Sequence, residues 1–397
     1  MHIIERTNYL NQLKNVKGTH EIKVITGVRR SGKSILLKSF IDWIKNNDKE
    51  ANIISIDFTS LKFEGLKEYH ALNTYIEEKF NKKKNNYLFI DEVQLCPQFE
   101  LTINSLHASN SYDIYVTRSN AFLLSSDLAT LFTGRTYELE VFPFSFEEYM
   151  EYFKYSDKEK AFDQYILEGG MSGSYEYKTP EDKYNFIAQT FNTLIIRDIK
   201  QKYKIRNQVL MDKTTKYMLD NIANLSSARK MAETLASNKE SVNHKTIGKY
   251  IEYLCNAFLF YKVSRYDIKG KKYLASSEKY YLSDHAFRYA VLGTKNMDYG
   301  HIIENIVAIE LMRRGYEIYT GTLYKKEIDF VAIKRNEKIY IQVADDISGE
   351  KTFAREIDPL LKISDAYPRF LIARTRHDDY QHEGIKIVNI INWLQSK

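Results

Sequence analysis

The stretch that most constrains this chain is Gly27-Val-Arg-Arg-Ser-Gly32-Lys33-Ser34, which follows the short apolar run Ile22–Thr26. Two glycines bounding four residues let the backbone turn tightly enough for successive N–H groups to converge on one anion. Lys33 then brings a point charge to the terminal phosphates of a nucleotide, and the Ser34 hydroxyl a ligand for Mg²⁺. From Ile35 to Ile44 apolar residues recur at helical spacing, so the order is strand, loop, helix, with the helix N-terminus facing the anion. Gly27, Arg30, Ser31, Gly32, Lys33, Ser34 and Ile35 are the residues expected around the phosphates of ATP.

A second stretch completes the chemistry. Tyr87-Leu-Phe-Ile-Asp91-Glu92 is an apolar strand ending in two acids. Asp91 is expected to hold Mg²⁺ together with Ser34, and Glu92 to act as general base on the attacking water. Alone, an acid pair after a strand is a common solvated turn. Downstream of the glycine-bounded loop, at domain-sized spacing, it predicts Mg-dependent ATP binding and hydrolysis.

Composition bounds the remainder. At 397 residues the chain has room for about two to four compact units. Its 58 basic and 52 acidic residues leave a net charge of +6, which permits contact with nucleic acid without demanding it. Cys96 and Cys255 lie far apart with no metal-ligand spacing, the pattern of free thiols in a reducing compartment. The first residues, Met1-His-Ile-Ile-Glu-Arg, turn charged at once, and no apolar run has the length of a membrane span. These features predict a cytoplasmic protein without a membrane partner.

Strand-like and helix-like segments alternate from 22 to 141, the pattern of a parallel sheet covered by helices, with a ligand at the carboxyl ends of the strands. The N-terminal segment 3–16 reads as an amphipathic helix whose Arg6 either meets the nucleotide or sits in solvent. The strand at Tyr112–Thr117 ends in Arg118-Ser119-Asn120, polar residues beside the expected γ-phosphate. Gly134-Arg135 precedes the next strand. Arg135 is either a charge-stabilising arginine, in cis or from a neighbouring subunit of a homo-oligomer, or a surface residue of a helix-to-strand turn.

Together, Gly27–Ser34, Leu88–Gln94, Thr117–Asn120, Gly134-Arg135, Pro143-Phe-Ser-Phe-Glu147 and Glu327-Ile-Asp329-Phe resemble the prokaryotic ATP-binding proteins that pair an AAA+-type ATPase domain with a C-terminal domain of unknown function. The resemblance implies a P-loop NTPase core acting as an ATPase or nucleotide-driven switch. It also gives Ser119 and Asn120 the role of γ-phosphate sensors, so the expected catalytic set is Lys33, Asp91, Glu92, Asn120 and Arg135. Two departures stand out. Arg118 occupies a position usually held by Gly, where a long cation either clashes with the backbone path or adds a phosphate contact. Ser172 replaces the Pro of the pattern Gly-Gly-x-Pro.

The α/β ATPase core is expected over residues 1–150 and a helical lid over 151–205. In 206–293, three helices and a basic hairpin around Lys269, Lys271 and Lys272 read as a winged helix-turn-helix. That module either contacts DNA, through the helix holding Asn243, His244, Lys245 and Lys249 and the hairpin lysines, or docks a protein partner. Residues 298–397 resemble the PD-(D/E)xK restriction-endonuclease fold, with Glu304, Asp329 and Gln342 near one another. Gln342 stands where that chemistry needs an acid and Ala344 where it needs a lysine, so a scaffold without its catalytic set is expected rather than an active DNA nuclease. The alternative to an ATPase is a nucleotide-gated DNA-binding module with little turnover.

Overall fold

The structure is a computed structural model, describing residues 3–119, 132, 134–236, 242–294, 298–375 and 377–396. It divides into two compact units, Met1–Pro143 with Asn256–Phe258, and Phe144–Cys255 with Leu259–Lys397.

The first unit carries α1 (Thr7–Asn15), β1 (Ile22–Thr26), α2 (Lys33–Asn47), β2 (Ala51–Asp57), α3 (Tyr69–Glu78), β3 (Asn85–Asp91), α4 (Phe99–Ala108), β4 (Asp113–Thr117) and β5 (Thr136–Glu140). The five strands form one sheet in the order β2-β3-β4-β1-β5, and every pairing is parallel. The period-two rule shows in its packing. Leu88 and Ile90 of β3, Ile114 and Val116 of β4 and Val24 of β1 join one buried cluster with residues of α3 and α4. The alternate residues Tyr87, Phe89, Tyr115 and Ile25 join a second cluster with α1 and α2. A sheet covered on both faces needs apolar residues at both parities, which is why β1 and β3 read as nearly unbroken hydrophobic runs.

The second unit holds the helices Phe146–Phe153, Lys158–Glu168 and Pro180–Thr193, the last continuing into a π-helical stretch over Leu194–Gln201. Helices Gln208–Asp220, Ala228–Leu235 and His244–Asn256 follow, and then an eight-stranded mixed sheet. Its strands are β6 (Phe260–Asp267), β7 (Lys272–Leu282), β8 (Glu317–Leu323), β9 (Lys326–Lys334), β10 (Glu337–Ala344), β11 (Arg369–Ala373), β12 (Tyr380–His382) and β13 (Ile385–Asn389), in the order β12-β13-β11-β10-β9-β8-β6-β7. The helix Tyr299–Arg313 is buried from Ile302 to Leu311, and Glu350–Leu361 covers the sheet with Ile357 and Leu360.

Three helices and a hairpin thus occur in the expected sequence, but β6–β7 is no free-standing wing. β6 pairs in parallel with β8, Arg265 opposite Thr320 and Asp267 opposite Thr322. Its outer edge would otherwise present unpaired N–H and C=O groups, and β8 satisfies them. Hydrogen bonding therefore crosses the boundary expected between 293 and 298. The expected lid is joined to the same region: the Gly170 N–H donates to Asp284 Oδ2 at 2.7 Å, and the His285 ring meets the Tyr165 carbonyl at 2.9 Å. Gly169, at φ +67°, has no room for a side chain, since a Cβ would stand 2.2 Å from Asp284 Oδ1.

Candidate functional site

The carboxyl end of β1 runs straight into the glycine-bounded loop. Gly27 adopts φ +131°, and a Cβ there would lie 2.3 Å from the Val141 carbonyl oxygen, so only glycine lets the loop pass so close to the strand end. Arg30 and Gly32 also take positive φ, at 66° and 98°, which turns the chain into α2. Ser31 and Lys33 are buried, and Ser34 lies in the first turn of α2. The Lys33 ammonium folds back onto the loop, donating to the carbonyls of Gly27 at 2.8 Å and Val28 at 2.9 Å. A cation held over a ring of backbone amides is poised for an anion, because the carbonyl contacts can be exchanged for phosphate oxygens.

The acids converge on this loop. Asp91 ends β3 and is buried, and its carboxylate is hydrogen-bonded by the hydroxyl of Thr117, with the Ser34 hydroxyl nearby. Burial pushes this carboxyl above its ordinary range, Glu92 and Asp57 adding to the effect, against the pull of the Thr117 and Ser34 hydroxyls. Glu92 takes a left-handed backbone, φ 55°. Its N–H donates to Thr117 Oγ1 at 2.9 Å, and its carboxylate accepts from Ser119 Oγ at 3.0 Å and from the Gln94 amide. The donor set around Asp91 and Ser34, two hard oxygen ligands beside a phosphate cradle, fits a magnesium ion.

The other expected residues divide. Ile35 follows Ser34 in the first turn of α2. Asn120 lies outside the described residues. Arg135 is not brought to the loop: the Ile22 N–H donates to its carbonyl at 2.8 Å, so its backbone sits at the amino end of β1. The length of that strand, about 3.3 Å per residue, separates it from Gly27. This placement gives an in-cis contact no geometric support and leaves the neighbouring-subunit alternative standing. Arg118 does not distort β4, since its N–H donates to the Ile25 carbonyl at 2.9 Å. Its buried guanidinium lies 5.7 Å from the centre of the Phe99 ring.

Three residues gain roles that their sequence context did not show. Arg6 is buried, neither at solvent nor free: it donates to the Ser31 carbonyl at 2.9 Å and lies over the Tyr9 ring, bracing the loop from α1. Thr117 ties Asp91 to Glu92. Asp57 lies opposite Asp91 in the β2–β3 register. The only signal for Asp57 was a polar residue ending an apolar strand.

In the second unit Glu304, Asp329 and Gln342 line one open cleft of about 730 Å³. Gln342 donates to Glu356 Oε2 at 3.1 Å, and Asp329 Oδ2 accepts the Val343 N–H at 2.9 Å. Ala344 leaves the motif position on β10 without a lysine, but β7 sends one from outside the expected domain. Lys279 lies 2.8 Å from Glu304 Oε1, 2.8 Å from Glu327 Oε1 and 3.5 Å from Asp329 Oδ1, and its side chain is 4% exposed. Tyr281 adds a hydroxyl at 2.6 Å to Glu304. Burial drives the Asp329 carboxyl up to about 8, while the carboxylates hold the Lys279 ammonium above its ordinary range despite its burial. The centre of this cluster is an ammonium. Among the described residues no group of three or more His, Cys, Asp or Glu is arranged to hold a metal.

A phosphate loop after the first strand, an acidic strand end beside it and a parallel sheet ordered β2-β3-β4-β1-β5 define a P-loop ATP-binding protein of AAA+ type. The chain belongs to that family. The AAA domain matches residues 19–150, and a Domain of unknown function (DUF8612) matches 159–298. An uncharacterized protein of Haemophilus influenzae is 36% identical over 99% of this chain and 98% of its own length. An uncharacterized protein of Methanocaldococcus jannaschii is 28% identical over 85% of this chain and 77% of its own. The solved Walker-type ATPase of Pyrococcus abyssi shares the fold, with a TM-score of 0.50 at 15% identity over 72% of this chain and 95% of that one. No helix among the described residues is long and apolar enough to cross a membrane.

Proposed function

We propose that this chain is a Mg²⁺-dependent ATPase that works as a nucleotide-driven switch. The observation that carries the reading is the closeness of Asp91, at the end of β3, to the Ser34 hydroxyl at the start of α2, beside a loop whose carbonyls hold the Lys33 ammonium. ATP is held by the N–H groups of Gly27–Ile35, with Lys33 exchanging the carbonyls of Gly27 and Val28 for phosphate oxygens. Ser34 and Asp91 would hold Mg²⁺, which would supply positive charge against the phosphates. Glu92, held by Gln94 and Ser119, orients water and takes its proton. Loss of the γ-phosphate releases Ser119 and the loop, the general way in which such sites move attached elements. Arg135 serves a neighbouring subunit, and the helices of 151–205 act as the lid. The two free thiols, Cys96 and Cys255, suit a cytoplasmic setting.

The test is phosphate release by the purified chain with Mg·ATP. The expected result is turnover that Lys33→Ala abolishes together with nucleotide binding. Glu92→Gln is expected to keep binding but lower kcat by about 10²- to 10⁴-fold. Absence of turnover in the native chain, with Lys33→Ala binding nucleotide unchanged, refutes the reading.

A second reading, contact with nucleic acid, is favoured by the exposure of Lys269, Lys271 and Lys272 at the β6–β7 turn.

A further inference from the structure

We propose that the sheet end where the β6–β7 and β8–β9 turns meet binds single-stranded nucleic acid, lysines taking phosphates and two exposed tyrosine rings stacking on bases. The proposal deepens the nucleic-acid reading and rests on it.

Because β6 and β8 run parallel as neighbours, the turns that follow them emerge at the same end of the sheet, and the Ile268 N–H donates to the Thr322 carbonyl at 3.0 Å across that end. Lys269, Lys271, Lys272 and Lys325 are all exposed there. Between them stand Tyr324, 69% exposed, and Tyr273, 64% exposed. Large aromatic surface in water is unfavourable unless something covers it, and two such rings set among lysines form a patch rather than scattered exposure.

Both rings are held in place. Tyr324 sits at a turn with φ 55°, and the Lys269 ammonium lies 4.8 Å from its ring centre. Tyr273 backs onto Tyr319, ring centres 5.0 Å apart, and onto Tyr266 at 5.5 Å, so its position is fixed while one side stays open. The carboxylates of the neighbourhood have partners of their own, Glu317 accepting from the Tyr319 hydroxyl at 3.0 Å. Asp267 accepts the Gly270 N–H at 3.0 Å, Glu327 meets Lys279 at 2.8 Å, and Asp358 pairs with Lys326 and Lys362.

The ring faces decide between strand types. In a duplex the base faces are stacked on each other, and a protein meets phosphates and groove edges. Unpaired bases offer their faces, and aromatic side chains interleaved with cations are what recognises them. A duplex reader of winged-helix type would instead depend on Lys245 and Lys249 of the helix His244–Asn256, which are exposed on a different element.

The experiment is fluorescence anisotropy of the full chain with ATP and labelled oligothymidine, oligouridine and a duplex, each about 20 nucleotides long, at several salt concentrations. Single strands are expected to bind more tightly than duplex. Tyr273→Ala and Tyr324→Ala should each weaken binding about fivefold or more, with the Phe variants restored. Changing Lys269, Lys271 and Lys272 to Ala should lower the salt slope by about two. Preference between thymidine and uridine strands assigns DNA or RNA, either supporting the surface. Tighter duplex binding that is lost with Lys245→Ala and Lys249→Ala overturns this surface but keeps the nucleic-acid reading. Tyrosine variants that bind like the native chain overturn it too, as does a stronger preference for polyglutamate, which points to an acidic protein. No binding to any strand overturns both.

Discussion

Replacing Lys279 by Met tests whether the second unit is held by its buried ion cluster. Methionine keeps most of the aliphatic stem, so little volume is lost. What disappears is the ammonium that sits 2.8 Å from Glu304, 2.8 Å from Glu327 and 3.5 Å from Asp329. Removing one partner of a buried ion pair costs about 3–5 kcal/mol, because the charge left behind is desolvated without compensation. Here the penalty should depend on pH. Burial already pushes the Asp329 carboxyl up to about 8 with the lysine in place, and without it protonation becomes easier still. Near pH 6 Asp329 is protonated with or without the lysine, so that pairing is not lost, whereas near pH 9 the native carboxylate is paired and the variant must bury it unpaired or hold its proton against the pH, at up to about the 3–5 kcal/mol above. The assay is the urea midpoint followed by Trp393 fluorescence in a Trp43→Phe background, since Trp393 lies in the second unit and is buried. An equal loss at both pH values would mean that only packing was disturbed, and no loss at either would refute the reasoning outright.

Two further outcomes follow from the same geometry. Gly27→Ala introduces a Cβ 2.3 Å from the Val141 carbonyl at a φ of +131°, so the loop must shift at a strain of about 1–3 kcal/mol. Titration with a fluorescent ATP analogue should show binding lost while cooperative unfolding remains, and Gly65→Ala, with nothing within 4 Å, should bind normally. Asp329→Asn should flatten the dependence of stability on pH: the folded carboxyl, raised from 3.8 to about 8, keeps a proton that the unfolded chain has released, so its contribution falls as pH rises through that window. A denaturation series from about pH 4 to 8 that keeps its native slope in the variant would refute this.

The parallel sheet and its phosphate loop were legible because both depend on local pattern. An apolar run followed by glycines at fixed spacing and a helical period specifies strand, loop and helix with little help from the rest of the chain. The acid at Asp91 was legible for the same reason. Arg6 was not, since its role depends on the start of α1 folding against a loop 25 residues on. The two strands of the hairpin were legible, but their partner, β8, lies beyond two helices, Ala286–Leu292 and Tyr299–Arg313, and no local pattern announces a parallel pairing. Lys279 shows the limit most clearly. The motif puts a lysine on β10, while the sheet brings one from β7, a side chain whose neighbours in sequence, Glu278 and Tyr280, give no hint of three carboxylates.

The β6–β8 pairing makes the tail of this chain poor material for exchange between relatives. A piece cut at residue 298 would carry away β8 with its flank stripped, and the piece left behind would keep a hairpin whose open border invites association with other chains. Shuffling by recombination should therefore move residues 260–397 as one block, and a break between β7 and β8 should be selected against wherever both halves must remain in solution.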